Sequence, residues 1–246
     1  MSAKIKIPIR LILAVVIILT MLRLAVWQLD RSEQKQTILD QVVSRSAKPS
    51  VLLTSLLNGI SITDDRYRNI RAKGQYLQDK SIYIDNQVVE GQVGYLVFTP
   101  FRIDGIDQVI MVNRGWLSVG ESREQRPAFT TPKGIQILEG RLNSPPAQPP
   151  LWNESYPVAQ GDVWAYLPLD EYASEMQLKL VPLVLELAPK QTGLSDPQFK
   201  IVKAEINDQW VAKHKGYAFQ WLMMAIAFFI ACCLLLLRTI SKNRSN

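Results

Sequence analysis

The chain has 246 residues, 48% hydrophobic and 20% charged, ordinary values for one domain plus membrane anchors. Its net charge of +6 does not belong to the large domain: residues 28–213 hold 20 Lys and Arg against 22 Asp and Glu, and the excess sits on Lys4, Lys6, Arg10, Arg23, Lys215, Arg238, Lys242 and Arg244, beside the apolar stretches. A slightly acidic domain removes the main reason to expect nucleic-acid binding, whereas basic flanks meet anionic membrane lipids and fix topology. The two cysteines, Cys232 and Cys233, both lie in the last apolar run, so the large domain has no disulfide framework.

Residues 1–8 read as a basic tail and 9–27 as an apolar segment, with Arg10 and Arg23 placed to snorkel and Trp27 to anchor at the interface. No Ala-x-Ala-like cleavage site follows and no Arg- and Ser-rich presequence precedes it, so an uncleaved transmembrane helix is expected. Residues 28–46 lack Gly and Pro and place Leu29, Ile38, Leu39, Val42 and Val43 among charges, which predicts that the helix continues beyond the membrane until Lys48-Pro49-Ser50. From Tyr67 the hydrophobic period shortens. Runs at 67–76, 81–85, 94–102, 108–117, 135–142, 163–169, 183–187 and 199–206, separated by turn residues, predict strands. Residues 143–161, with Pro145, Pro146, Pro149, Pro150 and Pro157, read as a long irregular loop, and 170–180 as a short helix.

Residues 217–237 carry no formal charge, a length that spans a bilayer core at about 1.5 Å of rise per residue, and Arg238, Lys242 and Arg244 close the run. The expected fold is two transmembrane α-helices flanking a mainly antiparallel β domain, barrel-like or sandwich, with a minor helix. The divisions are tail 1–8, helix 9–27, extracytoplasmic domain 28–213, helix 214–237 with its interfacial histidine, and tail 238–246. Two crossings put both termini on one side. The expected setting is a bacterial cytoplasmic (inner) membrane, with cytoplasmic termini and the large domain in the periplasm or outside.

His214 is the only histidine of the sequence. If the last helix begins a turn early, His214, Tyr217 and Trp221 recur at i, i+3 and i+7 and share a face. An imidazole at the membrane surface above two aromatic rings suits a flat, apolar, metal-bearing ligand. An ordinary interfacial residue beside the snorkelling Lys213 and Lys215 accounts for the same pattern. Because 28–213 contains no histidine, that domain has no Ser-His-Asp or Cys-His device and no multi-histidine metal centre. No P-loop, Gly-rich fingerprint or nucleophile elbow is present either. Cys232 and Cys233 project about 100° apart on a helix, deep in the apolar run, and read as packing residues rather than a copper site. Asp64, Asp65, Asp85 and Glu90 read as solvated carboxylates near turns.

Four motifs occur in order between the two spans. They are Trp27-Gln28 with Arg31 and Lys35; the strand from Gly94 to Pro100; Asn113-Arg114-Gly115-Trp116 after the apolar Val109-Ile110-Met111-Val112; and Tyr217-Ala218-Phe219-Gln220-Trp221. Together they resemble the Surfeit-locus family from about residue 22 to 237. Departures are Ala25, where the family often has glycine, and Leu222, where it often has phenylalanine. The resemblance implies a non-catalytic membrane assembly factor for haem–copper cytochrome oxidase that presents or protects haem a for the catalytic subunit. A haem-independent scaffold for oxidase subunits is the alternative, and a membrane-anchored extracytoplasmic enzyme a more remote one.

His214 matches the family histidine proposed as haem iron ligand, an ordinary role for neutral imidazole. Lys213 and Lys215 would then meet the propionates, Tyr217, Trp221 and Trp27 would border the pocket, and the haem tail would lie in lipid beside Phe219, Leu222 and Ile226. Tyr217, Met223, a second copy or a partner are candidates for the second axial ligand. Arg114 either pairs with a propionate or acidic partner, or satisfies acceptors at a strand end. Trp116 either stacks on porphyrin or closes the core, the usual place of an aromatic ending an apolar strand. Gln28, Arg31, Asn113 and Gly115 are motif positions without an assigned chemical role. The partners implied are the oxidase catalytic subunit, the haem a synthesis machinery and membrane lipids, with no nucleic acid.

Overall fold

The computed structural model describes residues 3–120, 125–148, 157–189, 199–200 and 208–244. In chain order the elements are helix α1 (Ala3–Ser46), strand β1 (Val51–Leu52), helices α2 (Leu53–Leu56) and α3 (Ile62–Asp65), and strands β2 (Asn69–Tyr76), β3 (Ile82–Val89), β4 (Gln92–Ile103), β5 (Val109–Ser118), β6 (Gln136–Asn143), β7 (Ala159–Gln160) and β8 (Val163–Trp164). Helix α4 (Leu169–Met176), strand β9 (Leu180–Leu187) and helix α5 (Asp208–Arg244) complete the chain. They form two compact units, Met1–Gln41 with Glu205–Asn246, and Val42–Ala204. Helix α1 runs past Trp27 without a break, and α5 starts at Asp208, ahead of His214.

In the β unit the strand order is β1-β2-β6-β9-β5-β4-β3-β8-β7, and a further pairing of β2 with β4 closes five strands into a barrel. Pairings are antiparallel except β1–β2, β3–β8 and β5–β9. Closure removes the edges that an open sheet of this size would expose. Strand β2 makes the corner: Gly74 pairs with Gln136 of β6 and with Ile103 of β4. A Cβ there would lie 2.0 Å from the Arg102 carbonyl oxygen, so the two backbones approach this closely only at glycine.

Barrels of five strands fill their interior with side chains. Here Ile70, Phe101, Ile110, Val112, Leu142 and Leu185 do so, each wholly buried. A second apolar layer covers the outer face of β3, β4 and β5, where Ile84, Phe98, Met111 and Trp116 meet Trp164 and Tyr172 of α4. Strand β5 is thus covered on both faces, which is why 109–112 reads as a continuous apolar run instead of alternating.

The strand and helix expectations hold where they fall on described residues, with four adjustments. The expected loop 143–161 includes the end of β6 at Asn143 and the short strand β7, and its residues 149–156 lie outside the described residues. The run 163–169 is reduced to Val163–Trp164, because Leu169 already starts α4. That helix ends at Met176, earlier than the expected 180: Gln177 adopts a left-handed conformation (φ 54°) and β9 begins at Leu180. Of the run 199–206, Lys200 bridges to Trp116 and residues 201–206 lie outside the described residues. One carboxylate departs from expectation. Asp65 is buried, its Oδ2 accepting from Ser61 N at 2.9 Å and its Oδ1 facing Arg68 at 3.9 Å, so it ties the α3 turn together.

In the helical unit, Ile9–Ser46 and Asp208–Lys242 are each long and apolar enough to cross a bilayer. Their large apolar side chains, including Leu19, Val26, Phe219, Phe229 and Leu235, are exposed. Exposed aliphatic and aromatic surface of this kind is what a lipid-facing helix presents. The chain is a two-pass membrane protein by this architecture.

Candidate functional site

The two long helices meet along a seam of regularly spaced buried positions. On α1 the residues withdrawn from the surface include Ala14, Ile18, Met21, Ala25, Gln28, Ser32, Lys35 and Leu39, separated alternately by four and three. On α5 they include Val211, His214, Ala218, Trp221, Ala225, Phe228 and Cys232, separated by three and four. A mean spacing of 3.5 keeps one stripe facing a partner helix along its whole length. Of the five buried seam positions, Ala25, Ser32, Ala218 and Ala225 are small and Val211 is not; the small ones let the backbones approach. Contacts of Gln28 with His214 and of Lys35 with Trp210 show that the helices run antiparallel.

At the level of the seam where the apolar run begins, His214 is half-buried and its Nδ1 lies 2.7 Å from Gln28 Oε1. The amide oxygen only accepts, so Nδ1 carries the proton and donates it. Neutral imidazole bears one N–H, and this bond therefore leaves Nε2 with its lone pair free. Among the described residues, Nε2 has no hydrogen-bond partner. Histidines that ligate metals are commonly oriented through their other nitrogen in this way.

The neighbours sort into two groups. Trp221 shares the seam with His214, while Tyr217, one position from the seam residue Ala218, is 41% exposed. The seam follows 214, 218, 221 rather than 214, 217, 221 because a 3.5-residue spacing, not a bare i, i+3, governs a helix pair. Lys213 and Lys215 are exposed, with the Lys213 ammonium 6.0 Å from the centre of the Tyr217 ring. Trp27 is exposed beside Gln28, and Arg31 Nη1 donates to Gln34 Oε1 at 2.8 Å. Farther along, Lys35 Nζ sits 5.3 Å over the Trp210 ring, a cation–π contact within the helical unit. Phe219, Leu222, Met223 and Ile226 present exposed apolar surface on α5.

Asn113-Arg114-Gly115-Trp116 belongs to the β unit, where it forms a bulge. Val97 of β4 pairs with Gly115 and Phe98 with Asn113, so Arg114 has no opposite residue. Gly115 takes φ 121°, and its N–H donates to Asn113 Oδ1 at 3.0 Å, which holds the irregular turn of the strand. The bulge turns Arg114 into the protein, where it is 1% exposed. Its guanidinium lies 4.7 Å from the Tyr76 ring centre, 5.2 Å from Phe199 and 5.8 Å from Phe129, and donates to Thr130 O at 3.1 Å and Thr131 Oγ1 at 3.3 Å. Trp116 is equally buried and donates Nε1–H to Gln87 O at 2.8 Å. Both side chains are buried in the β unit, Arg114 among aromatic rings and Trp116 in the apolar layer with Trp164 and Tyr172.

Similarity to known proteins follows the same residues. The SURF1 family model matches residues 15–226, a span that includes Gln28, the 113–116 bulge and His214. The chain belongs to the SURF1 family. Members of this family are cytochrome oxidase assembly factors. A SURF1-like protein of Rickettsia prowazekii is 27% identical over 240 residues, covering 96% of this chain and 90% of its own length. Another, from Caenorhabditis briggsae, is 25% identical over 223 residues, covering 82% of this chain and 68% of the relative. In this SURF1-family chain the pairing of Gln28 with His214 was not legible from sequence, since 186 residues separate them.

Proposed function

We propose that this protein takes part in assembly of a haem–copper oxidase by holding haem a on His214. The observation that carries this reading is the His214–Gln28 bond, which fixes an imidazole with a free Nε2 lone pair at the edge of the membrane-crossing run. The donor set fits such a group. Among the described residues no three His, Cys, Asp or Glu side chains gather as a bare metal ion would need, so a lone imidazole suits iron already ligated by a porphyrin.

When bound, haem a supplies the redox iron that the catalytic subunit needs. The chain's own residues bind and orient it. His214 would hold the haem iron through Nε2, and Lys213 and Lys215 would meet the propionates as charge-assisted donors. Tyr217, Trp221 and Trp27 supply aromatic surface, and Phe219, Leu222 and Ile226 keep the hydrocarbon tail in lipid. Tyr217, Met223, a second copy of the protein or a partner would supply any further ligand. The setting is the bacterial cytoplasmic membrane, with both basic ends in the cytoplasm. There the oxidase catalytic subunit and the haem a synthesis machinery are the partners.

The test is the reduced-minus-oxidised visible spectrum of full-length protein purified from cells that make haem a. A stoichiometric haem a band in the wild type, lost in His214→Ala while the protein still inserts and folds, is the expected result. Absence of haem from both leaves the scaffold reading. Haem retained by His214→Ala moves the site elsewhere.

A further inference from the structure

We infer that Gln28 is a positioning residue for His214: it selects the imidazole tautomer and so presents Nε2, not Nδ1, as the ligand atom. The inference rests on the haem-holding reading for its use, but its physical content is independent of any bound group.

Free neutral histidine in water favours the tautomer with the proton on Nε2. In this protein the balance is reversed by one contact. Gln28 Oε1 stands 2.7 Å from Nδ1, inside the helix pair, where a donor without an acceptor would be costly. Both residues occupy seam positions of the 3.5-residue repeat, Gln28 between Ala25 and Ser32 on α1 and His214 between Val211 and Ala218 on α5. These four neighbours are buried, and three are small. The seam at this level is therefore narrow, which limits ring rotation and keeps the partly buried hydrogen bond in place. Ser32 and Lys35 continue the polar stretch of the α1 seam toward Trp210, whereas Ala25, Met21, Ile18 and Ala14 continue it as apolar. Gln28 is thus the last polar group of the seam before the membrane-crossing apolar part, and it is spent on the histidine. Such partners of ligand histidines fix ring orientation and raise ligand basicity, and their loss typically weakens metal affinity about 10- to 100-fold.

Having one histidine makes the test direct. Full-length protein labelled with 15N-histidine is placed in phospholipid nanodiscs without haem, and spectra are recorded at the alkaline limit of the histidine signals. Long-range 1H–15N correlations then report which ring nitrogen is protonated. The expected results are a pyrrole-like Nδ1 and pyridine-like Nε2 in the wild type, reversal in Gln28→Leu, and the wild-type pattern in Gln28→Glu, whose carboxylate also accepts. In parallel, haem a is titrated into each. Gln28→Leu is expected to bind about 10- to 100-fold more weakly than wild type, with Gln28→Glu restored.

A wild-type proton on Nε2, a Gln28→Leu spectrum identical to wild type, or equal haem a affinity in wild type and Gln28→Leu each overturns the inference. If wild type itself takes up no haem a, the haem-holding reading falls, and the tautomer spectra alone decide the role of Gln28. Gln28→Glu guards against a misfolded Gln28→Leu, since rescue requires a native seam.

Discussion

Arg114 illustrates how a charged residue is held inside a small barrel. Three aromatic rings and two threonine oxygens surround its guanidinium, a planar cation that can stack and donate at once. Lysine cannot do both, because its charge is a single ammonium at the end of a flexible stem. We expect Arg114→Lys to lower the stability of the protein by about 1–3 kcal/mol without changing haem a occupancy, read by chemical denaturation and by the visible spectrum of the same sample. A stable variant that loses haem would instead make Arg114 part of the ligand site. The neighbouring glycine has the complementary duty. Gly115 at φ 121° creates the bulge that aims Arg114 inward, and no side chain replaces it without strain.

At the scale of elements, α1 and α5 depend on small residues where they are closest. Ala25, Ala218 and Ala225 leave the seam no room for a larger side chain. Ala218→Leu is expected to force the helices apart at the level next to His214, at a cost of about 1–3 kcal/mol. The same change should lengthen or break the His214–Gln28 bond. A titration with sodium dodecyl sulfate that follows helix separation by fluorescence transfer checks the first effect; the 15N-histidine spectrum checks the second. An unchanged midpoint and an unchanged spectrum would mean that the seam is looser than its burial indicates. The two helices were legible from composition alone, since 21 uncharged residues at 217–237 admit little else. Which face of each meets the other was not, because exposed and seam positions are equally apolar in a membrane segment: Ala225 is buried while the adjacent Ile226 is exposed.

At the scale of the whole molecule, stability in alkali follows from buried phenols. Burial pushes Tyr76 up to about 12 despite the opposing Arg114 guanidinium, and burial, reinforced by Asp162, pushes Tyr83 up to about 12 as well. Both pKa values are raised above that of an unfolded tyrosine, near 10. The fold therefore keeps protons that the unfolded chain gives up. Their stabilising contribution is complete below about pH 10 and declines as pH rises toward 12. For Tyr76 the loss is of the order of 2 kcal/mol. Melting temperatures of the full-length protein should fall between about pH 9 and about pH 11.5, and Tyr76→Phe should flatten that fall. Equal slopes in wild type and variant would show that Tyr76 ionises as an exposed phenol does.

By itself the sequence determined the two membrane helices, the β character of the large domain and the single imidazole at the helix edge. Each of these depends only on local quantities: uncharged length, hydrophobic period and the presence of one histidine. Tertiary structure decided the rest. Closure of β2 onto β4 at Gly74 turned a series of strands into a barrel. Burial on both faces of β5 hid the alternation by which strands are read. The bulge at Arg114 set the position of its side chain, which no local pattern in the sequence shows. Above all, the pairing of Gln28 with His214 arises from the antiparallel meeting of helices 186 residues apart in the chain. A hydrogen bond acts over about 3 Å, and such proximity is created only when the chain folds back on itself.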